Sequence, residues 1–392
     1  MFEKELEELE RQNLLRAERA VKSAQGPRVV LAGQGKVIVL CSNNYLGLAE
    51  HPALRRAAAD AIERYGLGTG ASRLVSGTTE LHEELERRIA LFKGAEAAIA
   101  FNSGYAANTG VIPAVAGEGD VILSDALNHA SIVDGCRLSR ARTVVYRHRD
   151  SGHLEKLLNE HREARRRIIV SDGVFSMDGD IAPLPDLVAL AERHDAILMI
   201  DDAHATGVLG ANGRGTAEHF GLTGKVPLEV GTFGKACGSF GAYVAGDRGT
   251  IAWLRNTARS YLFSTSLPPA LCAASIAALE LLDREPWRHA RLWENRWRLA
   301  DGLAALGLAP EGSETPIIPV IVGSAKDALS AAQGLLQGGI LAPAIRPPSV
   351  PEGAARIRTT VMTTHTDQDI DRALAVFSSL IDEGILCGER QG

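Results

Sequence analysis

Ile197-Leu198-Met199-Ile200-Asp201-Asp202-Ala203-His204 is the stretch on which the fold turns. Its four leading apolar residues show no polar alternation, as expected of a strand covered on both faces. The run then ends in two carboxylates. Open α/β sheets place ligands at the carboxyl ends of their strands, so Asp201 is a candidate ligand group. Six further runs have strand length: Ala97–Phe101, Val121–Ser124, Thr143–Tyr146, Ile168–Ser171, Glu229–Thr232 and Gly241–Ala245. Helical patterns such as 79–93, 183–194 and 248–260 separate many of them. This alternation predicts an α/β domain with a mainly parallel seven-stranded sheet.

Outside that region the rhythm changes. Residues 2–24 read as a helix with an imperfect stripe of Leu6, Leu9, Leu14 and Leu15. A hairpin follows, with Arg28–Leu31 and Val37–Leu40 joined through Gly33-Gln34-Gly35. After Pro268 a long helical stretch reaches about 308, interrupted near Pro286. Then come a strand at Ile317–Val322, a helix at 325–337, strands near 340–345 and 355–361, and a helix at 367–385. The expected division is a large domain over 48–285 and a small α+β domain over 286–392, with 1–47 joining the small one.

With 392 residues, 45% hydrophobic and 23% charged, the chain can bury a sizeable core. A net charge of −6 argues against a nucleic-acid partner. The basic run Arg165-Arg166-Arg167 reads as a solvated helix end. Cys41, Cys136, Cys237, Cys272 and Cys387 form no CxxC pair, which fits free thiols in a reducing compartment. The first residues lack the apolar core of a secretory signal, and no run is long enough to span a membrane. A cytoplasmic location is expected.

Four motifs carry chemistry. In Gly231-Thr232-Phe233-Gly234-Lys235-Ala236-Cys237-Gly238 a single lysine follows an apolar strand among small residues. Glycines let the backbone approach a bulky ligand, and a partly desolvated lysine can form a Schiff base. An exposed turn lysine is the bland alternative; a Walker-type phosphate loop is excluded because Ala236 follows Lys235. In the second motif, Asp201 can pair with a protonated heterocyclic nitrogen, and His204 can reach a phenolic oxygen on the same ring. A metal pair or a helix cap are the alternatives there. Third, Phe101-Asn102-Ser103-Gly104-Tyr105-Ala106-Ala107-Asn108 reads as strand, turn and helix start, where backbone N–H groups form a ready phosphate site. Gly66-Leu67-Gly68-Thr69-Gly70 follows a helix rather than a strand and fails the context of a dinucleotide fingerprint. Fourth, His129 in Asn128-His129-Ala130-Ser131 could stack on a planar cofactor, although a lone histidine is more often structural.

Together these residues resemble the α-oxoamine synthase family of fold-type I enzymes dependent on pyridoxal 5′-phosphate (PLP). The likeness includes Ser42–Leu48, Gly68–Gly77, Asp172–Asp180, Asp201–His204, Thr232–Lys235 and Ser264–Pro269. It implies that Lys235 is the Schiff-base lysine and the base for the α-proton, and that Asp201 pairs with the pyridine nitrogen. His129 would stack on the ring and contact substrate. Ser176, His204 and Thr232 would hold the cofactor, with Gly104 and Tyr105 on its phosphate side. Ser264 and Thr265 would reach the neighbouring subunit's phosphate, which implies a homodimer with shared sites. No metal is implied. Ala344–Gly353 is most similar to the family members that join L-alanine to a pimeloyl thioester of CoA or acyl carrier protein, and Arg19 and Ser349 would contact that substrate. Sister activities on glycine and acetyl-CoA, a dinucleotide-dependent oxidoreductase and a catalytically silent binding protein stand as alternatives.

Overall fold

A computed structural model of the chain describes residues 2–308 and 312–387. The chain forms two compact units: Met1–Glu50 with Ser176–Asp180 and Trp287–Gly392, and His51–Phe175 with Ile181–Pro286. The segment Ser176–Asp180 was expected in the large unit but clusters with the small one. Arg358 Nε donates to Ser176 O, Arg356 Nη1 reaches Met177 O at 3.2 Å, and Thr315 Oγ1 donates to Gly179 O at 2.9 Å. Gly179 is required there, because a Cβ would fall 2.2 Å from Ile317 O. The expected small domain extends to 392, and its last five residues lie outside the described ones.

The small unit opens with a helix over Glu3–Arg11 only. The predicted helix of residues 2–24 therefore stops thirteen residues early. Asn13 adopts φ 57°, a left-handed conformation that ends a helix, and Leu14 and Leu15 N–H fold back onto Leu9 O. No residue of this helix is buried, so no packed face extends it. The hairpin forms as read, with β1 (Arg28–Leu31) antiparallel to β2 (Gly35–Val39).

In the large unit all seven apolar runs are strands: β3 (Ala97–Phe101), β4 (Val121–Asp125), β5 (Arg142–Tyr146), β6 (Arg167–Asp172), β7 (Ile197–Asp201), β8 (Leu228–Thr232) and β9 (Ala242–Gly246). They make one sheet in the order β3-β9-β8-β7-β6-β4-β5. Strand periodicity divides its side chains between two cores. Ile168, Val170 and Met199 pack in one, and Ile169, Leu198 and Ile200 in the other. That split is why stretches such as Ile168–Val170 and Leu198–Ile200 are apolar at every position. The helix Gly104–Val115 covers the first core and Leu184–Arg193 the second.

The small unit closes with β10 (Ile317–Gly323), β11 (Ile340–Leu341), β12 (Ala344–Ile345) and β13 (Ala355–Thr360). The single strand expected near 340–345 is two short ones in different sheets. β11 runs parallel to β2, whereas β12 pairs antiparallel with β13. Pro343 lies between them and donates no ladder hydrogen bond. Among the described residues no helix is long and apolar enough to cross a membrane.

Candidate active site

Strand direction gathers the chemical residues of the large unit on one edge. β9 is antiparallel to both β3 and β8, so β3 points the same way as the parallel strands β4–β8. Phe101 and Thr232 both pair with Ala242, and Asp172 pairs with Asp201. Chain-distant motifs thus meet where these strands end.

Asp201 and Asp172 are both buried at the ends of adjacent strands, 3% and 5% exposed. Asp201 Oδ1 accepts the Ala203 N–H at 2.9 Å, and its Oδ2 accepts Asn108 Nδ2 at 2.7 Å. Asp172 Oδ2 accepts the backbone N–H of His129 at 2.6 Å. Burial, and then the Asp201 charge, push the Asp172 carboxyl well above the usual carboxylate range. The His129 N–H, and then Lys235, pull it back only in part. Two facing buried acids therefore call for cationic compensation.

His129 caps the helix Ala130–Leu138, with Nδ1 accepting the Ser131 N–H at 3.2 Å. This acceptor role places the proton of the neutral ring on Nε2. Ser131 Oγ lies 2.7 Å from the same Nδ1 and accepts from Asn108 Nδ2 at 2.9 Å. A continuous hydrogen-bond chain thus runs His129–Ser131–Asn108–Asp201. Desolvation pushes the His129 imidazole below its ordinary value, and Lys235 adds to this against the pull of Asp201. Sequence reading missed Asn108, Ser131 and Asp172. All three stand inside quoted motifs, but their partners are distant in the chain.

Lys235 is half-buried in the loop after β8, with Nζ 3.4 Å from Thr232 Oγ1. The loop is closed by Phe233 N–H to Gly241 O and Ser239 N–H to Phe233 O, each 2.9 Å. His204 is 8% exposed in the turn after β7, and Thr232 is equally buried at 7%. Ser103 caps the Gly104–Val115 helix by accepting the Ala106 N–H at 3.1 Å. A Cβ on Gly104 would lie 2.8 Å from Thr232 Cγ2, so this helix start approaches β8 as closely as it does only with glycine. Tyr105 is half-exposed and its hydroxyl donates to Asp134. Asn102 Nδ2 donates to Thr265 O at 2.8 Å, leaving the Thr265 side chain exposed and Ser264 half-buried.

Three predicted residues belong to the small unit. Ser176 is half-buried beside Arg358. Arg19 is exposed and lies outside the N-terminal helix that was expected to carry it. Ser349 instead accepts from Arg16 Nη2 at 3.3 Å, and Arg346 donates to Asn13 O and Leu15 O. Desolvation and the Arg16 charge both hold Arg346 below its usual value.

The residues present fit PLP. They supply a lysine on an open loop, paired acids that a pyridinium would compensate, and a glycine-bearing helix start for a phosphate. Among the described residues, no group of three or more His, Cys, Asp and Glu is placed to hold a metal.

The pattern of the class I and II aminotransferase family matches residues 35–377. The 8-amino-7-oxononanoate synthase of Geobacter sulfurreducens is 56% identical over 96% of this chain and 96% of its own length. A solved serine palmitoyltransferase of S. paucimobilis with a bound PLP–myriocin aldimine superposes with a TM-score of 0.93 at 33% identity, over 98% of both chains. The 8-amino-7-oxononanoate synthase of Francisella tularensis gives a TM-score of 0.78 at 28% identity, over 89% of this chain and 99% of that one. With that coverage and a site whose geometry suits the cofactor, the chain belongs to the class I and II aminotransferase family, in its branch of 8-amino-7-oxononanoate synthases.

Proposed function

We propose that the enzyme joins L-alanine to a pimeloyl thioester, releasing carbon dioxide and the free thiol and giving 8-amino-7-oxononanoate, a step of biotin synthesis. The identity of 56% to a synthase of that name along 96% of the chain carries this choice of reaction. Bound PLP supplies the electron sink for a carbanion at the amino-acid Cα.

The chain's own residues divide the remaining work. Lys235 would hold the cofactor covalently and, once free, take the α-proton of alanine on Nζ and return a proton after decarboxylation. Asp201 would keep the ring nitrogen protonated, because its carboxylate is fixed by Asn108 and the Ala203 N–H. His129 would stack on the ring. Its neutral form carries hydrogen on Nε2, a donor suited to polarising the thioester carbonyl. His204, Thr232 and Ser176 would hold the ring substituents, and the Gly104–Tyr105 N–H groups the phosphate. Ser264 and Thr265 would serve the partner subunit's site in a homodimer. The acyl chain ends in a carboxylate, and the small unit offers Arg16 and Arg346 beside Ser349. Neither guanidinium is ion-paired among the described residues. With Arg19 they are the arginines we read as candidates for that carboxylate.

Thiol release from the holoenzyme tests the assignment, with L-alanine, glycine and L-serine each offered pimeloyl, acetyl and palmitoyl thioesters. Alanine with a pimeloyl thioester of CoA or acyl carrier protein should turn over fastest. Turnover of glycine with acetyl-CoA alone would move the assignment to the sister activity.

A further inference from the structure

Behind the site lies a charged cluster that the reaction above does not use. Lys93 ends the helix Glu80–Lys93, and its side chain is 1% exposed. Its Nζ lies 3.0 Å from Asp202 Oδ2 and 2.6 Å from Glu229 Oε2, with those side chains 1% and 5% exposed. It also donates to Arg214 O. Burial works against the Lys93 charge, but the two carboxylates outweigh it and hold the amine well above its ordinary value. Burial, and then Asp202, push Glu229 up. Removing Lys93 leaves two buried carboxylates without their cation, whereas removing Glu229 leaves Lys93 and Asp202 paired.

Asp202 follows Asp201 directly, and its backbone anchors the turn that carries His204. Its N–H donates to Val230 O at 2.7 Å, and its carbonyl accepts Ala205 N–H at 3.0 Å and Thr206 N–H at 2.8 Å. Its carboxylate is fixed independently, accepting Thr216 N–H at 3.0 Å and Thr216 Oγ1 at 2.5 Å. Two glycines make room for it. A Cβ on Gly215, at φ 109°, would fall 2.0 Å from Asp202 Oδ2, and one on Gly173 would fall 2.4 Å from Oδ1. Glu229 sits on β8, three residues before Thr232, so the cluster ties together the two strands that present Asp201 and Lys235.

We propose that Lys93 is a positioning residue: through its bond to Asp202 it fixes the 201–206 turn and so the orientation of Asp201 and His204 toward PLP. This rests on the reading of the site as a PLP site. Lys93 touches no reacting atom and acts only through Asp202.

The test compares holoenzymes of the wild type, Lys93→Met, Glu229→Gln and the double variant Lys93→Met/Glu229→Gln. It measures PLP dissociation constant, visible circular dichroism per bound PLP and melting temperature. Dichroism of an achiral chromophore reports how the site orients it, which a loss of global stability alone would not move. Lys93→Met should weaken PLP binding on the order of tenfold, as for loss of one charge-assisted bond, and change the dichroic band. Glu229→Gln keeps the Lys93–Asp202 bond and should stay within about twofold of wild type in affinity, with an unchanged band, because the remaining pair is charge-balanced. If Lys93→Met does not fold, the double variant, which leaves Asp202 as the one carboxylate of the cluster on its Thr216 bonds, reads the lost bond instead and should show the altered band. Wild-type affinity and dichroism in Lys93→Met, or in the double variant where it stands in, would overturn the proposal whatever the melting temperature. So would Glu229→Gln reproducing the defect of Lys93→Met. A wild-type protein that takes up no PLP would instead refute the cofactor reading on which the proposal rests.

Discussion

At the scale of single residues, Asp201 depends on an amide that sequence reading quoted without giving it a role. Asn108 Nδ2 bonds both the carboxylate and Ser131, and so couples Asp201 to His129. Asn108→Ala leaves a buried carboxylate short of a donor, a loss of roughly 1.5–3 kcal/mol for a charged hydrogen bond. The expected result is a PLP affinity lower by about ten- to a hundredfold, that energy at 1.4 kcal/mol per decade, with a smaller fall in kcat. Equilibrium dialysis and steady-state assays check it. Gly104→Ala is expected to fail for a steric reason, because the new Cβ meets Thr232 Cγ2 at 2.8 Å. Thr232→Ser removes that methyl and should restore most of the PLP affinity lost in Gly104→Ala; a double variant as weak as the single one would refute the clash. Lys235 and Asp201 were legible because a lone lysine among glycines and an acid closing an apolar run are local patterns. Asn108 and Asp172 were not, since their significance lies in partners on other strands. Arg19 shows the reverse limit: the helix expected to carry it ends at Arg11, and it is Arg16 that meets Ser349.

At the scale of elements, local periodicity served best where elements are buried on both sides. All seven central strands stand within a residue or so of their expected runs, and two cores enforce the pattern in all but the mostly exposed edge strand β5. Residues 12–24 and 340–345 were misread at points where the backbone itself breaks the element. A left-handed Asn13 ends one helix, and Pro343 divides one strand between two sheets. The hairpin strand β2 depends on a histidine with a measurable consequence. His365 Nε2 donates to Val39 O at 2.9 Å, while its Nδ1 accepts the Met362 N–H at 2.9 Å. Burial foremost pushes this imidazole down to about 4. A folded value below the ordinary 6.5 means that the unfolded chain binds the proton first as pH falls. The stabilisation is present above pH 6.5 and is lost between 6.5 and about 4. Between pH 7 and 5 this single group should remove roughly 2 kcal/mol. His365→Gln can keep both hydrogen bonds without titrating. Its urea midpoint should fall less than the wild type's over that interval, and equal slopes would refute the linkage.

At the scale of the whole molecule, the orientation of one strand decides what the sheet can do. Because β9 alone runs backwards, the ends of β3 and of β4–β8 share an edge, and the 97–108 motif meets the 232–235 motif there. No residue in β9 announces its direction, so this convergence was visible only through likeness to a family. The same unit leaves large apolar side chains uncovered: Leu67 is 75% exposed, Leu74 64%, Val75 79% and Phe263 71%. Ser72 bridges Thr265, which brings the 71–77 loop beside the 263–266 segment whose Thr265 carbonyl accepts from Asn102. Exposed apolar surface of that kind, next to polar groups of a site, marks an interaction face. A second copy is the occupant proposed above. The protein should therefore sediment at twice the 41.7 kDa of one chain. Phe263→Glu would place a charge in that face and should shift the equilibrium to monomers, lowering PLP affinity and turnover together if Ser264 and Thr265 complete the partner's site. High protein concentration should then restore both in parallel with the dimer fraction. A Phe263→Glu variant that is monomeric by sedimentation yet binds PLP and turns over at the wild-type rate would show that each chain works alone.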